Sequence, residues 1–418
     1  MKIGFFGNTN NYPFMLARAL RKLGHEVLFI IESDERLNRP EFRYDDIATP
    51  YPAWILDLAP FRFSTYLRPG GRRAAAIDAL RGCDAVIVNG LGPSLLRFVR
   101  RPSIAILTGS DLNYFADFAS LDQPVFTPVR RPRWLWKSVA PHVMRAAIRR
   151  LIGAQRDGIR RANAFYSFPP GTLPHGDRVL REIGVDDVRR FFFLMGDLDQ
   201  IAYEPPPQNE RLRVVSSARL NWKRPLRPEA TELDLKGTDV IIRGLALFGE
   251  RVGVPMEIRL VRKGLDVLET ERLVEQCGLS KDVVWLDEMS QKDLREEFRR
   301  ADLVIDQLGL SLVGMAGLDA MAMGKPLVAN GRPEIMASVV PEASPICQAS
   351  TPEEVAQQLE RLIDPAERER VGRASRDHVL RYFTPEHAAR ICLERLERAI
   401  LKRGNSLPPS PPHFSALD

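Results

Sequence analysis

At 418 residues with 44% apolar content, the chain is too long for one ordinary core and suits two domains. Sixty Lys and Arg against 54 Asp and Glu leave a net charge of +6, too mild to imply a nucleic-acid partner. Cys83, Cys277, Cys347 and Cys392 are too dispersed for a disulfide framework or a metal knuckle, and no apolar run reaches the ~18 residues of a bilayer span, so a reducing cytoplasmic setting is expected.

Met1 to Phe6 reads as a strand and Gly7 to Asn11 as a polar turn, with Pro13 suited to the first position of a helix. Leu16, Ala19, Leu20 and Leu23 line one face of that helix, Gly24 stops it, and Glu26 to Ile31 forms the next strand. The turn after the first strand is not Gly-x-Gly-x-x-Gly, which disfavours a dinucleotide. His25 reads as a turn residue rather than a catalyst. Residues 83–89 and 103–111 are further strand candidates, the second ending in Thr108-Gly109-Ser110-Asp111. Asp111 either binds a ligand or caps the helix that follows.

Residues 128–161 hold ten Lys or Arg against a single acid, Asp157, interleaved with Trp134, Trp136, Val143 and Met144. That composition fits a surface meeting an anionic membrane, with residues 130–150 as the contact; a solvated basic helix is the plainer alternative. Arg161 to Ser167 reads as the last strand of the first domain, and Asp197 to Gln208, ending in three prolines, as a linker. Asp197-Leu198-Asp199 has the form of a divalent-metal motif, but it stands in this connection without other acids nearby and reads as a turn.

Leu212 to Ser217 opens the second domain as a strand followed by Arg219. Residues 222–235 are charged and lead into Lys236-Gly237-Thr238. Strands at 257–261 and 283–286 and a helix at 294–301 lead into residues 302–334, where a short apolar strand, a turn with Gly309, Gly314 and Gly317, a helix ending at Gly324 and a second strand follow without slack. A helix N-terminus just past a parallel strand suits phosphate. Thr351 to Glu354 is a capping box, the last helix starts at Pro385 with Leu393, Leu396 and Ile400 in a stripe, and residues 404–418 read as a disordered tail.

Asp319-Ala320-Met321-Ala322-Met323-Gly324-Lys325-Pro326 and Gly331-Arg332-Pro333-Glu334 resemble the donor-binding segment of the retaining GT-B glycosyltransferases, the group often numbered family four. That family carries two Glu separated by seven residues; here Ser311 stands at the first position and Asp319, eight residues on, at the second. In the family an Arg and a Lys-Gly stand closer together than Arg219 and Lys236-Gly237, which implies that 222–235 is an insertion and that Lys223 or Lys236 fills the Lys role, the following Gly-Thr-Asp favouring Lys236. Leu20 to Val27 resembles the opening of such enzymes, and Thr108 to Asp111 their His-Gly-x-Asp element with Thr108 in the His position. The resemblance implies an α/β chain of two Rossmann-like domains facing across a cleft: an acceptor-side domain 1–200, a linker 201–210, a donor domain 211–383, a terminal helix 384–403 returning to the first domain, and the tail 404–418. It implies metal-independent transfer from a nucleotide sugar to a glycan, lipid-linked or other acceptor in cell-surface polysaccharide or glycolipid synthesis, with no cofactor beyond the donor. Arg219, Lys236, Ser311, Gly314, Asp319 and Glu334 would face the donor, and Gly7, Asn8, Thr108 and Asp111 the acceptor; Asp111, Ser311 and Asp319 are the catalytic candidates. The absent Glu and His leave two rivals open, a catalytically silent GT-B-like partner protein and a nucleotide-sugar epimerase. The expected location is cytoplasmic, with peripheral contact at the inner face of the membrane.

Overall fold

The computed structural model describes residues 1–122, 140–198, 201–223, 235–309 and 312–402. The chain divides into two compact units, Met1–Phe193 joined by the chain from Pro385 onward, and Leu194–Thr384.

The first unit is built on seven strands, β1 (Lys2–Phe6), β2 (Glu26–Ile31), β3 (Ile55–Asp57), β4 (Ala85–Asn89), β5 (Ser103–Ile106), β6 (Ala164–Tyr166) and β7 (Arg190–Phe191), in the order β3-β2-β1-β4-β5-β6-β7. Every pairing is parallel, with Ile3 beside both Val27 and Ala85. Runs such as AVIVN and SIAI are buried along their whole length, as a sheet covered on both faces by crossover helices requires. Helix Tyr12–Lys22 makes the first crossover, burying Leu16, Ala19 and Leu20. Strand β6 is not the last of this sheet: β7 adds beyond it, Tyr166 beside Phe191. A two-residue strand carries no alternation or run, and the same brevity hid β3. Helix Pro385–Leu401 belongs to this unit; Leu393, Leu396 and Ile400 are buried where it packs on helix Tyr12–Lys22 and β5, and Lys22 pairs with Glu386 at 3.4 Å.

The division between units falls after Phe193, earlier than the domain end expected at 200. Gly196 N donates to Phe383 O at 2.9 Å, which joins residues 194–198 to the body of the second unit.

The second unit holds six parallel strands, β8 (Leu212–Ser216), β9 (Met256–Val261), β10 (Val283–Leu286), β11 (Leu303–Ile305), β12 (Leu327–Ala329) and β13 (Cys347–Gln348), in the order β10-β9-β8-β11-β12-β13. Strand β11 is thus interior, paired with β8 and β12. The capping box forms as read: Glu354 N donates to Thr351 Oγ1 and Thr351 N to Glu354 Oε2, each at 3.2 Å. Lys325, just past helix Met315–Met323, is fully buried, and its Nζ donates to Pro205 O at 3.1 Å and Arg299 O at 2.9 Å. Burial pushes its amine down to about 8. The tail from 404, Trp134, Trp136 and most of the insertion at 222–235 lie outside the described residues.

Candidate functional site

In an open parallel sheet the natural ligand position is beyond the carboxyl ends of the strands where their order reverses. The first unit reverses between β1 and β4, the second between β8 and β11. Every described residue that the sequence nominated lies on a loop or helix that follows one of these sheets' strands.

In the second unit, three loops meet at this point and are stitched by main-chain bonds. Asn221 N donates to Arg219 O at 2.7 Å, Lys236 N to Asn221 O at 2.7 Å, and Leu308 N to Lys236 O at 2.9 Å. Thr238 Oγ1 also reaches Arg219 O at 3.3 Å. The chain following β8, the start of helix Thr238–Val252 and the chain following β11 are thereby fixed together. Arg219 is exposed and Lys236 half-buried. Of the two rival lysines, Lys236 is built into this junction, whereas exposed Lys223 lies 5.3 Å from the Trp222 ring, its backbone N–H bound to Asp266 Oδ2 at 2.9 Å.

The N-terminus of helix Met315–Met323 already faces an acid. Gly314 N donates to Asp306 Oδ2 at 2.9 Å, and a Cβ at Gly317 would lie 2.6 Å from the same oxygen, so only glycine lets this carboxylate sit against the first turn. Asp306 is 5% exposed; burial raises its carboxyl pKa against the pull of the Gly314 and Gln307 amides and of Lys236. Nothing in its local pattern singles it out, because an acid ending a buried strand is an ordinary strand boundary.

Asp319 lies in the middle of the helix and does not cap it. Its Oδ2 accepts from Arg295 Nε at 3.0 Å, with the two side chains 9% and 13% exposed. Glu334 is exposed and paired with Arg332 Nε, which draws its carboxyl pKa down. Arg332 sits at φ +47°, a left-handed conformation strained for a residue with a side chain. It precedes the short helix Pro333–Met336, and Asn330 Oδ1 accepts its backbone N–H at 3.3 Å. Ser311 lies outside the described residues.

In the first unit, Gly7 has φ +95°, and a Cβ there would run into the Asn89 backbone, so glycine is what lets β1 and β4 meet closely at their ends. Asn8 is fully buried and spent on the fold: Nδ2 donates to Asn11 Oδ1 and Asn38 O, both at 2.8 Å, while Oδ1 accepts Phe14 N at 3.1 Å. Asp111 is likewise fully buried. Its Oδ2 accepts Thr108 N at 2.9 Å, Asn89 Nδ2 at 3.0 Å and Thr108 Oγ1 at 3.2 Å; its Oδ1 accepts Gly109 N at 2.8 Å and Leu112 N at 3.1 Å. It does not cap the helix Ser110–Asn113, whose N-cap is Gly109 with no side-chain cap bond; Asp111 stands inside the first turn and ties the loop before it together. Burial outweighs these donors and pushes its carboxyl up to about 6.

A residue the sequence reading missed stands beside these. Glu32, one position past β2, accepts Asn8 N on Oε1 at 3.4 Å, and its Oε2 has no hydrogen-bond partner among the described residues. Burial raises its carboxyl to about 7. Only its position past a strand end could have flagged it.

Residues 233–378 match the family model described as Glycosyl transferases group 1, a span that includes Lys236, Gly314, Asp319 and Glu334. The matched span falls within the second unit and covers most of it. The chain is also 25% identical over 217 residues to the D-inositol 3-phosphate glycosyltransferase of Paenarthrobacter aurescens (strain TC1), covering 49% of this chain and 53% of that protein, so the match spans about half of the relative. Among solved structures it is similar to a glycosyltransferase from Rickettsia africae ESF-5, with a TM-score of 0.59 at 13% identity over 96% of this chain and 98% of the other. It is similar as well to sucrose-phosphate synthase from Thermosynechococcus elongatus, with a TM-score of 0.58 at 14% identity over 96% and 100%. At these identities the likeness concerns the fold, and the fold is GT-B. The family-model match thus falls on the unit that holds the junction of Lys236 with the chain following β11.

Proposed function

We propose that the protein transfers a glycosyl group from a nucleotide-sugar donor bound by the second unit to a glycan or lipid-linked acceptor. The observation that carries this reading is the stitched junction of Arg219, Lys236 and the chain after β11 at the point where the strand order reverses. Two cations beside a helix N-terminus neutralise charge growing on a departing nucleoside diphosphate, the electrostatic help this reaction needs. The Asp306 carboxylate already occupies Gly314 N, so Arg219 and Lys236 carry the diphosphate in this reading and the helix amides assist. Asp319 pairs with Arg295 and so joins helix Met315–Met323 to helix Gln291–Arg300, which positions the helix rather than touching the donor in this reading. No catalytic metal or cofactor is part of the proposal.

The acceptor side extends to a membrane surface. In helix Ala140–Arg161, Val143 is 62% and Met144 43% exposed, with Arg149 and Arg150 exposed further along, a basic and apolar face suited to anionic headgroups. No helix among the described residues is long and apolar enough to cross a membrane, so the contact is peripheral.

Calorimetry with a panel of nucleoside diphosphates tests the donor site. Arg219→Ala and Lys236→Ala should each weaken binding about tenfold, the loss of one charge-assisted bond, with no loss of thermal stability. Unchanged affinity in both would remove the site. Incubation with nucleotide sugars and membrane extract then separates the rivals: transfer supports the proposal, donor interconversion an epimerase, and binding without turnover a silent partner protein.

A further inference from the structure

The acids near the donor position of the second unit are committed unequally. Three are buried near the carboxyl ends of its strands among the described residues: Asp266 past β9, and Asp306 and Asp319 past β11. Asp266 Oδ2 accepts Trp222 N and Lys223 N, each at 2.9 Å, and Asp319 is paired with Arg295. Asp306 has no ion pair among the described residues; what holds it is the Gly314 amide on Oδ2 and the amide of Gln307.

Burying a charge without a partner of opposite sign costs stability, and proteins keep such groups chiefly where they act. Asp306 is 5% exposed, and the glycine at 317 is what makes room for it against the helix. It also stands beside the proposed diphosphate position. Two residues on, Leu308 N donates to Lys236 O at 2.9 Å, and Gly309 lies so close to the chain before Lys236 that a Cβ there would come within 2.0 Å of Leu235 O. The charge of Lys236 reaches the carboxyl and, with the two amides, favours its ionised form against burial.

In glycosyl transfer the bond from the anomeric carbon to a diphosphate oxygen breaks, and its electron pair leaves with the diphosphate. The acceptor hydroxyl oxygen supplies the pair for the new bond to that carbon, and its proton passes to a departing phosphate oxygen. Positive charge gathers on the anomeric carbon and ring oxygen between these events. We propose that Asp306 is a catalytic residue of this step, its carboxylate facing the anomeric carbon and offsetting that positive charge. This role rests on the donor reading above, in which Lys236 holds the diphosphate: the anomeric carbon is joined to the terminal phosphate through one oxygen and so lies within the field that Lys236 and Asp306 share. A fixed charge in dry surroundings acts more strongly than in water. The same charge repels the nucleoside diphosphate, so Asp306 favours the transition state over the product complex.

The test is Asp306→Asn in the full chain, read three ways. Turnover of a panel of nucleotide sugars with membrane extract should fall about a hundredfold, the size of losing one preorganised electrostatic contact in a dry site. Nucleoside diphosphate affinity by calorimetry and the midpoint of denaturant unfolding should not fall, because the amide oxygen keeps the Gly314 bond and an amide is cheaper to bury than a charge. Asp239→Asn is the control: this acid is half-buried in the first turn of helix Thr238–Val252, three residues past Lys236, and its variant should keep wild-type turnover. Wild-type turnover in Asp306→Asn, or an equal loss in Asp239→Asn, overturns the role of Asp306 and leaves the donor site standing. Diphosphate affinity or stability lost together with turnover makes Asp306 a structural support and overturns the role as well. A wild-type chain that turns over no donor in the panel removes the proposed function itself, and this role with it.

Discussion

The two sheet edges that hold the nominated residues use their acids in opposite ways. At the first, Asp111 accepts five hydrogen bonds from its own loop and neighbour strand, and Asn8 is equally consumed. At the second, Asp306 accepts a helix amide within the field of Lys236, while Arg219 stands exposed above loops joined by backbone bonds and by the Thr238 hydroxyl. The first edge spends side chains to shape a loop, and the second relies more on backbone, leaving Arg219 exposed. A family-like motif can thus hold a loop in shape without offering a ligand contact.

The strongest way to break this contrast is Asp111→Ala. Loss of an acceptor that five bonds converge on, at a fully buried side chain, should cost about 3 kcal/mol of stability, read by denaturant unfolding, although Asn89 Nδ2 keeps Ile106 O and the half-buried Thr108 and Gly109 can turn to water. A variant of native stability that loses only acceptor turnover would instead make Asp111 a ligand residue and erase the difference between the edges.

Asp306→Asn sharpens the other side. The amide oxygen keeps the Gly314 bond while removing a negative charge beside the diphosphate, so nucleoside diphosphate affinity should rise about threefold at neutral pH. Weaker binding would mean that Asp306 organises the site rather than opposing its ligand.

The smallest effect concerns Glu32. Its folded pKa of about 7 lies above the ordinary carboxylate value of 4.5, so between those limits the folded chain holds more protons than the unfolded one, and stability falls as pH rises through that window. Glu32→Gln should flatten the stability profile between pH 4.5 and 7 and leave the variant slightly more stable at pH 8. A profile parallel to wild type would show that the carboxyl is hydrated and takes no part in the edge.

Much of this was legible in the sequence where one element fills one pattern. Long strands such as Glu26 to Ile31, the Thr351 capping box and the stripe of the last helix are local signals, and each formed as read. Short elements were not legible: Ile55 to Asp57 and Arg190 to Phe191 owe their conformation to neighbours already in the sheet. The site was legible as a place rather than as contacts. Nothing in the run from Leu318 to Met323 says that Asp319 will meet Arg295, which comes from a preceding helix, Gln291–Arg300. Nor does a lone Glu after a strand announce an unusual proton affinity, since burial, a property of the whole unit, decides it.

Lys325 has a further consequence for how the second unit can be followed in solution. Its ε-amine is shut away from solvent and tied to the carbonyls of Pro205 and Arg299, so an amine-reactive reagent meets it only when that part of the unit opens. The low value of about 8 belongs to the buried amine; once exposed, Lys325 reacts as an ordinary lysine does. The acylation rate at this one position is therefore a built-in clock for opening of the second unit, and slowing by an added nucleoside diphosphate would read ligand linkage without any added label.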